Sequence, residues 1–329
     1  MSVQPVGGQA VIEGVMMKAK TRLSVAVRLP SGKIALKTTA CGSLSQKWPF
    51  LGWPFLRGPL VLMETMVYGL KALSFSASQI MEDEGEKISS ASLALTMLGA
   101  FIAAMTLFVA LPHLLTWILG TFTPLNFDVR SLSFHIIDGI LKVLIFMIYI
   151  WAISFMKQIE RVFAYHGAEH KSIHCLEAGK ELTVINAQSC SRLHNRCGTT
   201  FLLLVLTVSI AAFAVIFPFL PSLSANQFLN QALQITLKIF CMFPLAGIAY
   251  EIIRLAGKRQ NNTLCRMLLW PGLQMQKLTT REPDEAQLET AIVALKAALA
   301  TSEIPADVEI MDSAVMDQTI PPRREAMAL

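Results

Sequence analysis

Four of the six histidines fall between His166 and His194, and three of the six cysteines between Cys175 and Cys197. The centre of this stretch reads Tyr165-His166-Gly167-Ala168-Glu169-His170, so His166, Glu169 and His170 form H-x-x-E-H, the reversed zinc motif. Histidines four apart share one helix face and can hold a divalent metal, zinc above all, through two imidazoles. Glu169 then stands beside the metal's open position as a candidate general base. His174 lies eight residues from His166, about 12 Å along a helix, so one ion does not easily take all three rings, and either His166 with His170 or His170 with His174 supplies two ligands. Further ligands must come from elsewhere, and Glu177, His194 and Cys197 are the candidates, with Glu13 more remote. Cys190, His194 and Cys197 make a second set, C-x3-H-x2-C, whose soft thiolates and imidazole also suit zinc. Two plainer readings stand beside these. Cys197 could act as a nucleophile activated by Arg196 and His194, or the histidines could simply hydrogen-bond within a juxtamembrane helix.

The elements that position these residues are those of a membrane protein. Hydrophobic residues make up 53% of the 329, charged residues only 16%, and mean hydropathy is +0.52. Soluble chains carry about 25% charged residues. The shortage excludes a disordered chain, a coiled coil and an ordinary nucleic-acid-binding domain, and it makes lipid part of the solvent. No Asp, Glu, Lys or Arg occurs from Ile88 to Phe127, and none from Cys197 to Leu237. A helix needs roughly 20 apolar residues to cross the hydrocarbon core. Four spans are predicted: Ala91 to Leu111, Ser131 to Met156, Thr199 to Leu220 and Gln231 to Tyr250. The second carries Asp138 and Lys142, four apart and so able to neutralise each other on one face. Such an intramembrane pair marks either a functional site or a packing lock. The fourth carries Lys238.

The loops then set the orientation. Basic residues number ten before the first span, one between the first and second, six in the central segment, none between the third and fourth, and nine after Tyr250. This alternation is the positive-inside pattern, and it puts 25 of the 28 basic residues, both termini and the central loop in the cytoplasm. Met1 to Lys20 lacks the basic, apolar and cleavage regions of a signal peptide. The expected location is a bacterial cytoplasmic (inner) membrane, with reduced cytoplasmic thiols.

The fold expected is an α-helical integral membrane protein with four transmembrane helices. To these a small cytoplasmic α+β portion is added, made of the N-terminal strands, the central loop and the C-terminal helix. By residue number, 1–88 is a cytoplasmic N-terminal segment, 89–156 the first two spans, and 157–198 a His/Cys-rich loop. Residues 199–250 are the last two spans, and 251–329 a cytoplasmic helix and mobile tail. Leu23 to Leu29 and Ile34 to Thr38 alternate around Pro30-Ser31-Gly32-Lys33 and predict a hairpin. Residues 48–75 fit an interfacial segment and a buried soluble helix equally. Leu288, Ile292, Leu295 and Leu299 mark one face of a helix from about Asp284 to Ala300. The opening Gly7-Gly8-Gln9 run matches neither a P-loop nor a dinucleotide fingerprint, and reads as close backbone approach in a sheet.

Five stretches carry a resemblance: GGQAVIEGVMM at 7–17, FLRGPLVLMETMVYGLKALSFSA at 55–77, YHGAEHKSIHCLEAG at 165–179, RLHNRCGTTF at 192–201 and PGLQMQKLTTREPDEAQLETAI at 271–292. Together they resemble the YqhQ-like family of bacterial multi-spanning membrane proteins, described as metal-dependent enzymes of unknown function. The resemblance implies Glu13, His166, Glu169, His170, His194 and Cys197 as site residues. Asn195 stands where Pro is expected and Leu176 where an aromatic is common. Cys190 and His174 belong less clearly to the pattern. Two classes of function follow, a metal-dependent enzyme, hydrolase if any, and a non-catalytic scaffold or assembly factor with a structural His/Cys cluster. A transporter component is third. Membrane lipids are the expected partners, a homo-oligomer is left open, and nothing indicates nucleic acid.

Overall fold

The computed structural model describes residues 5–83, 90–122, 131–258, 262–299 and 308–311. Five strands form one sheet in the order β1 (Gly7–Val11), β2 (Gly14–Lys18), β3 (Arg22–Arg28), β4 (Ile34–Ala40) and β5 (Val308–Met311). The helices in the first half are α1 (Leu44–Lys47), α2 (Arg57–Asp83), α3 (Ser90–Met105), α4 (Leu111–Phe122) and α5 (Leu132–Ile153). Those in the second half are α6 (Lys157–Glu177), α7 (Val184–Gln188), α8 (Gly198–Ile216), α9 (Gln227–Lys258), α10 (Thr263–Thr279) and α11 (Glu285–Leu299).

β1 to β4 are an antiparallel meander. The predicted hairpin is its β3–β4 half, where Gly32 takes φ 87° and donates its N–H to the Leu29 carbonyl. Alternation in β3 sends Leu23, Val25 and Val27 to one face of the sheet, against Ala72, Tyr68 and Phe75 of α2. Ala26, with Val15, Met17 and Leu36, faces Tyr165 and Ala168 of α6 and Leu288, Ala291 and Leu295 of α11. Burying each such leucine contributes about 1.5–3 kcal/mol. The result is a three-layer α/β/α unit. β5 pairs in parallel with β4, so part of the segment expected as a mobile tail fills the sheet edge that β4 would otherwise leave open. The rest of that tail, with Pro321 and Pro322, lies outside the described residues.

This unit draws on three distant parts of the chain. The N-terminal strands, α6 with α7, and α11 share one core. They therefore lie on one side of the helices between them. The central segment expected as a loop is mostly helical, because α6 buries its Tyr165, Ala168 and Ile173 against the sheet layer. The C-terminal helix is buried on more than its leucine face, since Ala291, Ala294 and Ala298 are small enough for close packing.

Among the described residues, five helices are long and apolar enough to cross a membrane, Arg57–Asp83, Ala94–Phe122, Leu132–Ile153, Gly198–Phe219 and Gln227–Ala256. Four correspond to the expected spans. The fifth is α2, which covers most of the stretch at 48–75. Ala72, with Tyr68, Phe75 and Ile80, covers the sheet, while Arg57 at its start pairs with Glu251 of α9. The first span runs on through Pro112 to Phe122, beyond the expected Leu111. A π turn at Thr106–Ala110 just upstream accommodates the missing proline N–H.

The bundle is inside-out relative to a soluble protein. Phe101, Ile148, Val215 and Phe240 are exposed, whereas His113, His135, Asp138, Lys142, Gln234 and Lys238 are buried. Hydrocarbon outside and polar groups inside is the distribution lipid imposes. The chain is a membrane protein.

Candidate metal centre

α6 follows α5 almost directly, from an N-cap at Met156, and so projects its histidines close to the bundle. His166 and His170 come one above the other on its surface, with ring centroids 4.4 Å apart. Gly167 between them lies where any Cβ would collide with the Arg281 carbonyl. A larger residue would push α6 away from the strand of chain that follows α10.

Cys197 arrives from the other side as the N-cap of α8, where its Sγ accepts the Thr199 N–H. His166 Nε2 lies 3.2 Å from Cys197 Sγ. The ligand atoms of His166, His170 and Cys197 all lie within 4.8 Å of one another.

The outer contacts decide which nitrogens face inward. His166 Nδ1 sits 2.9 Å from the Thr279 carbonyl, and His170 Nδ1 sits 2.6 Å from the Arg192 carbonyl. A carbonyl only accepts, so both Nδ1 atoms carry the hydrogen and both Nε2 lone pairs are turned toward Cys197. Metal-binding histidines are held in this way. Burial pushes the His170 imidazole below its usual range, with the hydrogen bond to Cys197 opposing it. A neutral ring is the form that binds metal. Zn–N and Zn–S bonds of about 2.0–2.3 Å imply tetrahedral edges of roughly 3.5 Å, so this donor set fits zinc.

The other expected ligands divide among different contacts. His174, Glu177 and His194 form a second group within the same span of 4.8 Å. His174 Nε2 donates to the Leu193 carbonyl at 2.8 Å. His194 Nδ1 accepts the Arg196 N–H, which leaves Nε2 to donate toward Glu177, 3.4 Å away. Glu177 also pairs with Arg196, and the His194 hydrogen bond, with the neighbouring positive charge, holds its carboxyl below the usual range. Both nitrogens of His194 are thus engaged, and this group is already satisfied by hydrogen bonds. The single-ion limit set by the spacing of His166 and His174 agrees with this division.

Glu169 is buried, and burial pushes its carboxyl above the usual range. It accepts the Gly8 N–H and lies within electrostatic reach of His166 and His194. Gly8 is glycine for a steric reason, since a Cβ there would meet Glu169 Cγ at 2.8 Å. Glu13 reaches α6 too, but pairs with Arg161 and takes the Tyr165 hydroxyl rather than joining the histidines. Cys190 packs beside Cys175, away from Cys197, with its Sγ on the Asn186 carbonyl.

Chain comparison places the whole arrangement in a family. Residues 53–301 match the family described as a protein of unknown function, DUF1385. The chain belongs to this family. A curated relative, "Uncharacterized protein YqhQ" of Bacillus subtilis (strain 168), is 32% identical over 304 residues, which is 87% of this chain and 89% of the relative. No solved structure matches the chain. The family region includes His166, Glu169, His170, His194 and Cys197 but begins after Glu13.

Several residues of the centre were not singled out from sequence. Gln276 accepts the His194 N–H and donates to the His194 carbonyl and to Thr200 Oγ1, each at 2.8 Å. It therefore fixes the turn that delivers Cys197. Thr279 and Arg192 contribute only carbonyl oxygens to the two histidines, so no side-chain pattern could reveal them. Gln276 lay within the quoted stretch at 271–292. A polar residue on the buried side of an otherwise amphipathic helix was the available signal.

Proposed function

We propose that this protein is a metal-dependent enzyme of the inner membrane, a hydrolase in reaction class, with its centre on the cytoplasmic face. The observation that carries this reading is the convergence of His166 Nε2, His170 Nε2 and Cys197 Sγ, three donors from two elements with the outer nitrogens of both rings already fixed. Three protein ligands leave a fourth position, as catalytic zinc sites do. A divalent ion held there supplies Lewis acidity toward a carbonyl or phosphoryl oxygen. His166, His170 and Cys197 would bind and orient the ion, and Glu169 holds or accepts a proton beside them. The raised carboxyl of Glu169 suits that role, because a general base works best with a pKa near the operating pH.

Four crossings are proposed, α3 with α4, α5, α8 and α9. Support comes from the shared core, which puts the strands, α6 and α11 in one layer and so requires an even number of crossings in each interval. The positive-inside pattern assigns that layer, and both termini, to the cytoplasm. Cys197 directly precedes a candidate span, so the centre lies at the membrane boundary and a lipid headgroup is within reach as substrate.

The alternative is a structural metal that fastens α6 to α8. It is favoured by Glu169 accepting the Gly8 N–H, a contact that ties β1 to α6 without any chemistry. Zinc content and turnover separate the two. The full-length protein is assayed with chromogenic ester, amide and phosphodiester substrates beside the Glu169→Gln variant. Hydrolysis of at least one substrate, lost in Glu169→Gln while zinc is retained, supports the enzyme. Zinc-bound protein inactive toward all three classes but melting on chelation supports the structural reading. Absence of stoichiometric metal sinks both.

A further inference from the structure

A second site lies inside the bundle, independent of the metal centre. Asp138 and Lys142 of α5 form the expected pair at 2.8 Å, but Lys238 of α9 joins the same carboxylate oxygen at 2.7 Å. Lys238 also donates to His113 Nδ1 at 3.0 Å, and His113 Nε2 then donates to Gln231 at 2.8 Å. The Lys238 ammonium lies 5.4 to 5.8 Å from the ring centres of Phe134, Phe213 and Phe217. Two lysines therefore share one carboxylate oxygen, and with both charged one positive charge has no counter-ion among these side chains. An unpaired charge in a low-dielectric interior is costly.

A cavity of about 230 Å³ lies against this cluster. All four proposed spans line it, and its walls are almost wholly apolar, including Phe108, Phe146, Val205, Leu206 and Met242. Of the cluster's charged groups only Lys142 and Lys238 reach the cavity wall, while Asp138 stands behind them. Lys142 has one hydrogen bond to Asp138 and Lys238 has two, so of their six N–H groups three are unspent. The neighbouring interior is also short of partners, since both ring nitrogens of His135, Asp138 Oδ1 and Gln234 Oε1 have none.

We infer that this cavity binds a single-chain amphiphile with an anionic headgroup, its chain between the helices and its anion on Lys142 and Lys238. The net positive charge selects an anion, the apolar walls select a chain, and the small volume disfavours two chains. A carboxylate and a phosphate monoester are the two headgroups with this chemistry.

Native mass spectrometry of the full-length protein in detergent provides the test, after incubation with oleate, oleyl phosphate or oleyl alcohol. One bound oleate or oleyl phosphate is expected, with oleyl alcohol at least tenfold lower in occupancy, and the better of the two anions names the headgroup. Lys142→Met leaves Lys238 paired with Asp138 but removes the surplus charge. It should lower anion occupancy at least tenfold. Val205→Phe fills the cavity with both lysines intact and should do the same, so it decides the matter if Lys142→Met fails to fold. Equal binding of oleyl alcohol, no binding of either anion, or undiminished binding by either variant in folded protein overturns the inference.

Discussion

His166 and Cys197 are 31 residues apart, yet Nε2 of one lies 3.2 Å from Sγ of the other. The contact joins α6 to the N-terminus of α8, a helix long and apolar enough to cross a membrane. Purified protein is accordingly expected to hold one equivalent of zinc. Cys197→Ser and His170→Ala should each reduce zinc content to a small fraction, read by elemental analysis. His194→Ala should retain it, because both nitrogens of that ring are engaged elsewhere. Equal loss in all three would mean that His194 is a ligand.

Gln276 holds both backbone groups of His194 and the Thr200 hydroxyl. Gln276→Ala leaves buried polar groups unsatisfied, at a cost of about 1–3 kcal/mol for each such group. Zinc affinity should fall about tenfold, as for other outer contacts of metal sites. Gln276→Glu should behave similarly, since an ionised carboxylate cannot donate to the His194 carbonyl. Competition with a chromogenic chelator measures the affinity, and a wild-type value in both variants would remove Gln276 from the centre.

Leu288 is fully buried between the sheet and α6. Leu288→Ala should destabilise the α/β/α layer by about 2–5 kcal/mol. Proteolysis of the folded protein should then cut at the β3–β4 region and α11 together, because they share one core. Independent cleavage of α11 with the strands intact would contradict the three-layer packing.

Burial pushes the Cys41 thiol up, Lys18 opposes the shift and Glu64 adds to it. Less thiolate is therefore present at a given pH than in a free cysteine, whose pKa is about 8.5. The midpoint of iodoacetamide modification, read by peptide mass spectrometry at Cys41, should lie above that value. Lys18→Met should raise it further and Glu64→Gln should lower it. A midpoint at or below that of free cysteine would show that the environment stabilises the thiolate.

Much of the molecule is legible in local pattern. The four apolar stretches, the β3–β4 hairpin and the helix at Glu285–Leu299 all follow from periodicity, hydropathy and turn residues that act over a few positions. The same holds for His166 and His170, whose shared face is a property of the helix alone. Legibility stops where a contact depends on which surfaces meet. Asp138 and Lys142 are adjacent on α5 and so readable, but Lys238 joins them from a helix 100 residues away. Cys190 and Cys197 looked alike by spacing, yet the turn held by Gln276 sends one to Cys175 and the other to His166.

The sequence by itself determined the membrane character and the helical stripe of histidines. Each is a sum over composition or a short-range repeat, and neither depends on distant partners. Only the tertiary structure decided that α2 covers a sheet, that Cys197 completes a three-donor set and that His194 does not. Those outcomes rest on the packing of α6, α8 and α10, where burial and backbone carbonyls orient each ring, and a linear pattern carries no record of either.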